Sequence, residues 1–181
     1  MRPKTFDEQE ALNSAMIQFW DSGFDGSSMQ DLVDRMGISR QSLYDTYGNK
    51  RELFESSLKR YREEVIEPKI REIADPSVSP TDSIRKYFKA ILDGAPGMPI
   101  GCLMVRTATE ISPEDREIGA LLDDCATMTH KAIVGIIQRG QASGEFDSSR
   151  KAKDLAGSVI ATGMGLQVMR RLPNQGKAIR P

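Results

Sequence analysis

Between Met29 and Asp45 the chain carries two short helical patterns, and the second has almost nothing apolar to bury. Met29, Leu32, Val33 and Met36 give the first an apolar stripe, whereas Ile38 and Leu43 are the whole anchor of the second, among Arg40, Gln41, Ser42, Tyr44 and Asp45. A helix this short is marginal in water on its own. It has to be pinned to a scaffold by one or two side chains while its polar and aromatic face stays exposed. Gly37 stops the first helix and Ser39 caps the second. Met36-Gly-Ile-Ser39 is then the tight connection that a helix-turn-helix requires.

The flanking segments supply that scaffold. Ala11, Leu12, Ala15, Met16, Phe19 and Trp20 line one face of a helix expected over about Asp7 to Ser22, with Gly23 as its stop. Trp20 continues the stripe and reads as a core anchor. Ser27 and Ser28 precede the second helix, with Gln30 and Asp31 as capping partners, and Asn49-Lys-Arg-Glu52 reads as a further capping box. That box opens a long helix through Leu53, Phe54, Leu58, Tyr61, Val65 and Ile66, which Pro68 kinks or ends. Later helices are expected from Ser79-Pro80, from about Gly101 to Ile111, from Ser112-Pro113-Glu-Asp115 to about Gln141, and from Asp147-Ser148 through Met169. No run alternates as a strand does, so the expected class is all-α. A small three-helix head, residues 1–48, precedes a larger helical body, residues 49–181.

Composition does not itself call for a nucleic-acid partner. The 181 residues carry a net charge of −1, and up to Arg60 eight basic residues face ten acidic ones. Any DNA affinity must come from where the basic groups sit. Cys102 and Cys125 are far apart and lack a CxxC or Cys/His cluster, which argues against a structural zinc and against a disulfide-stapled secreted domain. The simplest location is cytoplasmic, since the start has no apolar signal region and no stretch reaches the roughly 18 apolar residues of a membrane span. No metal or cofactor is expected. No nucleophile–base pair, phosphate loop or paired-carboxylate arrangement points to an enzyme in the helical body.

Three stretches carry a resemblance: Phe24-Asp-Gly-Ser-Ser-Met-Gln-Asp-Leu32, Met36-Gly-Ile-Ser-Arg-Gln-Ser-Leu-Tyr44 and Tyr47-Gly-Asn-Lys-Arg-Glu-Leu-Phe54. Contiguously over about Phe6 to Leu58, the chain resembles the DNA-binding domain of the TetR/AcrR family. The resemblance implies roles by position. Ser28 matches the hydroxyl residue that opens the second helix, where free backbone N–H groups meet a phosphate. Arg40 and Gln41 match base-reading positions, Arg suiting guanine and Gln suiting adenine. Ser39 and Ser42 are placed for bases or phosphate, and Lys50 matches a backbone-contacting lysine. Tyr44 and Tyr47 match aromatic positions whose phenol either hydrogen-bonds a phosphate or packs beneath the helix. Arg2 and Lys4, in a short arm, add phosphate or minor-groove contacts. The chain departs from the family pattern at Thr46, where histidine is common.

For the body the resemblance implies ligand binding and dimerisation. The expected partners are a palindromic double-stranded DNA operator, a second copy of the chain and a small-molecule effector, with no membrane. Two-fold pairing also follows from physics, because one recognition helix makes few base contacts. The face spanning Leu155 to Met169, with Gly157, Ala161, Gly163 and Gly165, is the candidate interface. Family members usually continue past the position of Gly176 to Pro181 with another helix of the dimer bundle. Candidate effector residues are Met98, Cys102, Met104, Arg106, Thr107, Glu110, Met128 and His130. Methionines adapt to irregular ligands but equally fill irregular cores, and Arg106 and Glu110 fit an ordinary i,i+4 surface pair. His130 alone makes no metal site, and a DNA-binding dimer without any effector is the competing reading.

Overall fold

The computed structural model describes residues 6–112 and 114–172, and every regular element among them is helical. The chain forms two compact units: residues 1–65 with 102–121, and residues 66–101 with 122–181. The expected boundary at residue 49 therefore falls inside the first unit. The physical reason is that the helix opening there buries Leu53, Phe54, Leu58 and Tyr61.

In the first unit, α1 (Glu8–Ser22) starts at Asp7, whose carboxylate accepts the N–H groups of Gln9 and Glu10 at 2.7 and 3.1 Å. Its buried face is Ala11, Ala15, Met16, Phe19 and Trp20. α2 (Met29–Met36) opens with the reciprocal Ser28–Asp31 box, and the Ser28 hydroxyl and amide hold the Asp31 carboxyl below its usual range. Ser27 is buried and instead donates to the Gly23 carbonyl at 2.7 Å. α3 (Arg40–Tyr47) is capped by Ser39 and pinned by fully buried Leu43 beside buried Ile38. Gly37 ends α2 in the left-handed region, at φ 64°, where a side chain would be strained.

α4 (Lys50–Tyr61) starts with the Asn49–Glu52 box and lays its apolar face on α1. Phe54 meets Phe19 edge-on at 4.9 Å between ring centroids, and Tyr61 meets Trp20 at 4.8 Å. Such contacts hold the rings more firmly than area burial alone. The chain then widens into a π-helical turn, Arg62–Ile66, and resumes as α5 (Glu67–Ala74). Pro68 thus neither ends nor interrupts the helical run. It lies in the first turn of α5, directly after the widened turn. Also in the first unit are α7 (Leu103–Glu110) and the opening turns of α8 (Arg116–Ser143).

The second unit contains α5, α6 (Pro80–Asp93), the rest of α8 and α9 (Ala152–Met169). Its core is Ile73, Ile133, Ile136, Ile137, Ala152 and Ala156, with Tyr87, Phe146 and Val159 packed around it. α9 lies against α6 at Gly163, where a Cβ would collide with the Tyr87 ring and touch Ile91. Arg170 is buried and donates to the Ile91 carbonyl at 2.6 Å, seated on Gly94 at the end of α6.

Two expected starts move. α8 begins at Arg116 rather than Ser112, since Asp115 accepts the Ile118 N–H at 3.1 Å; Pro113 lies outside the described residues. α9 begins at Ala152 rather than Asp147, because the Asp147 carboxylate folds back onto the Ser149 N–H and hydroxyl and closes a local turn.

Candidate nucleic-acid interface

The local rules that build α3 also expose its reading edge. Leu43 is the one fully buried side chain of α3, and Arg40, Gln41, Tyr44 and Asp45 point outward and are exposed. Each of the first two has a partner one turn on. The Arg40 guanidinium stands over the Tyr44 ring, 6.0 Å from its centroid, and Gln41 donates its amide to Asp45 at 2.7 Å. At the helix start Ser39 accepts the Ser42 N–H at 3.0 Å, and the two hydroxyls lie 2.8 Å apart. The Ser28 side chain is exposed at the head of α2. After capping, the Met29 and Gln30 amides of α2 and the Arg40 and Gln41 amides of α3 are left without an acceptor in their own helix, so both starts offer donors to an anion.

Lys50 opens α4 with its ammonium 4.4 Å from the centroid of the Phe24 ring. Phe24 in turn packs on Phe54, so a buried aromatic cluster aims this cation. Tyr47 uses its only proton inward, donating to the Glu8 carbonyl at 2.6 Å. Burial, reinforced by the charges of Glu8 and Asp7, pushes its phenol up to about 12. Of the two uses left open by the sequence, its geometry serves the packing one, tying α3 to α1. Thr46 is half-buried. Arg2 and Lys4 lie outside the described residues.

The eight effector candidates do not form one cluster within either unit. Cys102, Met104, Arg106, Thr107 and Glu110 belong to the first unit; Met98, Met128 and His130 belong to the second. Met104 and Thr107 are buried. Arg106 and Glu110 are more than a surface pair: their side chains are only 17% and 26% exposed, and Arg106 donates to the Asp21 and Ser22 carbonyls at the end of α1. The spacing of four residues predicts the pair but not its third partner, which lies about 85 residues away. A groove of about 330 Å³ on the second unit is lined by Ile84, Arg85, Phe88, Lys89, Leu92 and Asp93 of α6, none of them a sequence candidate. Among the described residues no His, Cys, Asp and Glu group is arranged to hold a metal ion. None of the described helices is long and apolar enough to cross a membrane.

Comparison with known proteins adds the family. Residues 11–56 match the family described as bacterial regulatory proteins, tetR family, and residues 80–180 match a tetracyclin repressor-like C-terminal domain. The HTH-type transcriptional repressor ComR of Escherichia coli is 31% identical over 147 residues, 80% of this chain and 70% of that one. An uncharacterized HTH-type transcriptional regulator of Bacillus subtilis, YezE, is 32% identical over 148 residues, 81% of this chain and 76% of its own length. Among solved structures, a cysteine mutant of the TetR family regulator CifR, complexed with a 26-base-pair double-strand operator, superposes with a TM-score of 0.81 at 26% identity, covering 100% of this chain and 92% of that one. The chain belongs to the TetR family of bacterial regulatory proteins, DNA-binding transcriptional regulators that read DNA through a helix-turn-helix.

Proposed function

We propose that this protein is a homodimeric repressor that binds a palindromic operator and leaves it when a small molecule binds its helical body. The observation that carries the reading is the outward edge of α3: Arg40, Gln41 and Tyr44 are exposed on a helix anchored by one buried leucine. Arg40 and Gln41 read base edges in the major groove. Ser28, Ser39, Ser42, Tyr44 and Lys50 hold the sugar–phosphate backbone, with Arg2 and Lys4 of the arm adding contacts. The operator-bound CifR mutant, similar over the whole chain, supports the same docking here.

Dimerisation is supported by α9. Met164, Val168 and Met169 are exposed there with Leu172 just beyond, beside Gly157, Ala161 and Gly165, which leave room for close approach. Gly163 is not part of that face, since it is buried against α6. Ligand response is supported by the tetracyclin repressor-like match over residues 80–180. Release then follows if the ligand prefers a body conformation in which the two heads no longer match the operator.

The direct test is an operator titration across a salt series. Arg40→Ala costs about 1–3 kcal/mol at one base position, whereas Lys50→Ala weakens all sequences alike and lowers the salt slope by about one. Parental binding by both variants would refute the groove assignment. A ligand that raises the melting temperature yet leaves operator affinity unchanged would count against the release step.

A further inference from the structure

Residues 102–121 fall within the stretch matched to the C-terminal domain, yet they belong to the compact unit that contains the reading head. Two polar clusters make the attachment. In the first, Arg106 forks onto the Asp21 and Ser22 carbonyls at 2.7 and 2.5 Å, and its Nε donates to Glu110 at 2.6 Å. Glu110 accepts the Phe24 N–H at 3.1 Å with its other oxygen. The carbonyls at a helix C-terminus lack intrahelical donors and carry partial negative charge, so a guanidinium suits them. Gly23, at φ 81°, lies directly beneath; a Cβ there would strike Glu110 and come within 2.6 Å of Arg106 Nε.

In the second cluster the Arg51 guanidinium is paired two-pronged with Asp115, its Nη2 donating at 2.7 Å, while its Nε donates to Glu55 at 2.9 Å. Glu117 adds a carboxylate at 3.7 Å. Asp115 also caps α8 through the Ile118 N–H. A two-pronged, charge-assisted pair fixes orientation as well as distance. This pairing uses the Arg51 guanidinium within the cluster, and it holds the Asp115 carboxyl below its usual range.

We propose that Arg106, Glu110, Asp115 and Arg51 are positioning residues for operator recognition: they touch no DNA, but hold the α1–α2 connector and the start of α4 so that Lys50 and α3 meet the groove. The chain of contacts is short. Glu110 fixes the Phe24 backbone, the Phe24 ring carries the Lys50 ammonium, and Arg51 anchors the next residue along α4. α7 and the first turn of α8 thus act as part of the reader. This inference rests on the operator-binding reading above.

The test uses the full chain, with operator affinity measured over a salt series and helicity and melting recorded for each variant. Arg106→Met and Asp115→Asn are each expected to weaken binding about tenfold, within the usual range of coupling between sites. Their salt slope should stay parental, because the competent fraction falls while the number of phosphate contacts does not. Arg106→Lys, which keeps the charge and fewer donors, should bind between the parent and Arg106→Met. Parental affinity in Arg106→Met and Asp115→Asn, alongside weakened Lys50→Ala, overturns the inference and leaves the reader assignment standing. A flattened salt slope in Arg106→Met also overturns it, since that residue would then be a phosphate contact. Parental binding by Arg40→Ala and Lys50→Ala refutes the operator reading itself. If Arg106→Met loses helicity, Arg106→Lys decides by the same affinity and slope.

Discussion

The two units solve the same problem at a helix end and then diverge in what they leave on the surface. In the first, Arg106 seats on the carbonyls of α1 above Gly23; in the second, Arg170 seats on the carbonyls of α6 above Gly94. Both glycines have positive φ and no room for a side chain. Beyond that, the head buries Phe19, Trp20, Phe54 and Tyr61 and offers polar groups and the Tyr44 ring outward from α3, whereas the body leaves Met164, Val168, Met169 and Leu172 exposed near the end of the described chain. A polar edge over a rigid aromatic core suits a groove lined with bases and phosphates. An exposed apolar helix face suits another protein surface.

The sharpest way to break that contrast is to empty the rigid core. Phe54→Ala removes a ring in contact with Phe19 and Phe24, and about 3–5 kcal/mol of stability should be lost in denaturant melts. A loss below about 1 kcal/mol would mean the head is not held by its aromatic cluster. On the body, Met164→Asp with Val168→Asp should leave the monomer folded but convert dimer to monomer in sedimentation. Operator affinity should then fall about a hundredfold, the scale of lost bivalency. Gly163→Ala probes the inward side of the same helix, where the added methyl meets Tyr87 and Ile91, and should cost about 1–3 kcal/mol without changing assembly.

The smallest effect is at Tyr47. Losing its hydrogen bond in Tyr47→Phe should cost about 0.5–1.5 kcal/mol near neutrality. Its folded pKa is raised, from 10.0 to about 12, so the stability it adds is complete below pH 10 and disappears as pH rises through 12. The variant should lack that share of the alkaline decline. An ultraviolet titration in which no tyrosine of the folded parent ionises late would contradict the burial of this phenol.

The sequence made legible whatever is settled within three or four residues. The Ser28–Asp31 and Asn49–Glu52 boxes, the Ser39 cap, the Gly37 stop and the Ser79-Pro80 start all have their partners close by in the chain. The Arg106 seat on α1 and the Arg51–Asp115 pair were not legible, because their partners are 64 to 85 residues distant and each residue has an ordinary local use as well. The start of α9 misled for the opposite reason: Asp147 has a capping residue's chemistry but satisfies Ser149 in a turn of its own. Exposure of Arg40, Gln41 and Tyr44 was legible because Leu43 is the only apolar anchor of α3 apart from Tyr47 and the flanking Ile38. The inward bond of Tyr47 was not, since its acceptor is a backbone carbonyl 39 residues away.

Whether a two-fold dimer presents the polar reading edge twice is decided by selection of bound sequences from a random DNA pool. The expected outcome is a palindrome whose half-sites lie one helical turn, roughly 34–36 Å, or a multiple of it apart. Enrichment of a single unpaired half-site, or no enrichment at all, would contradict it.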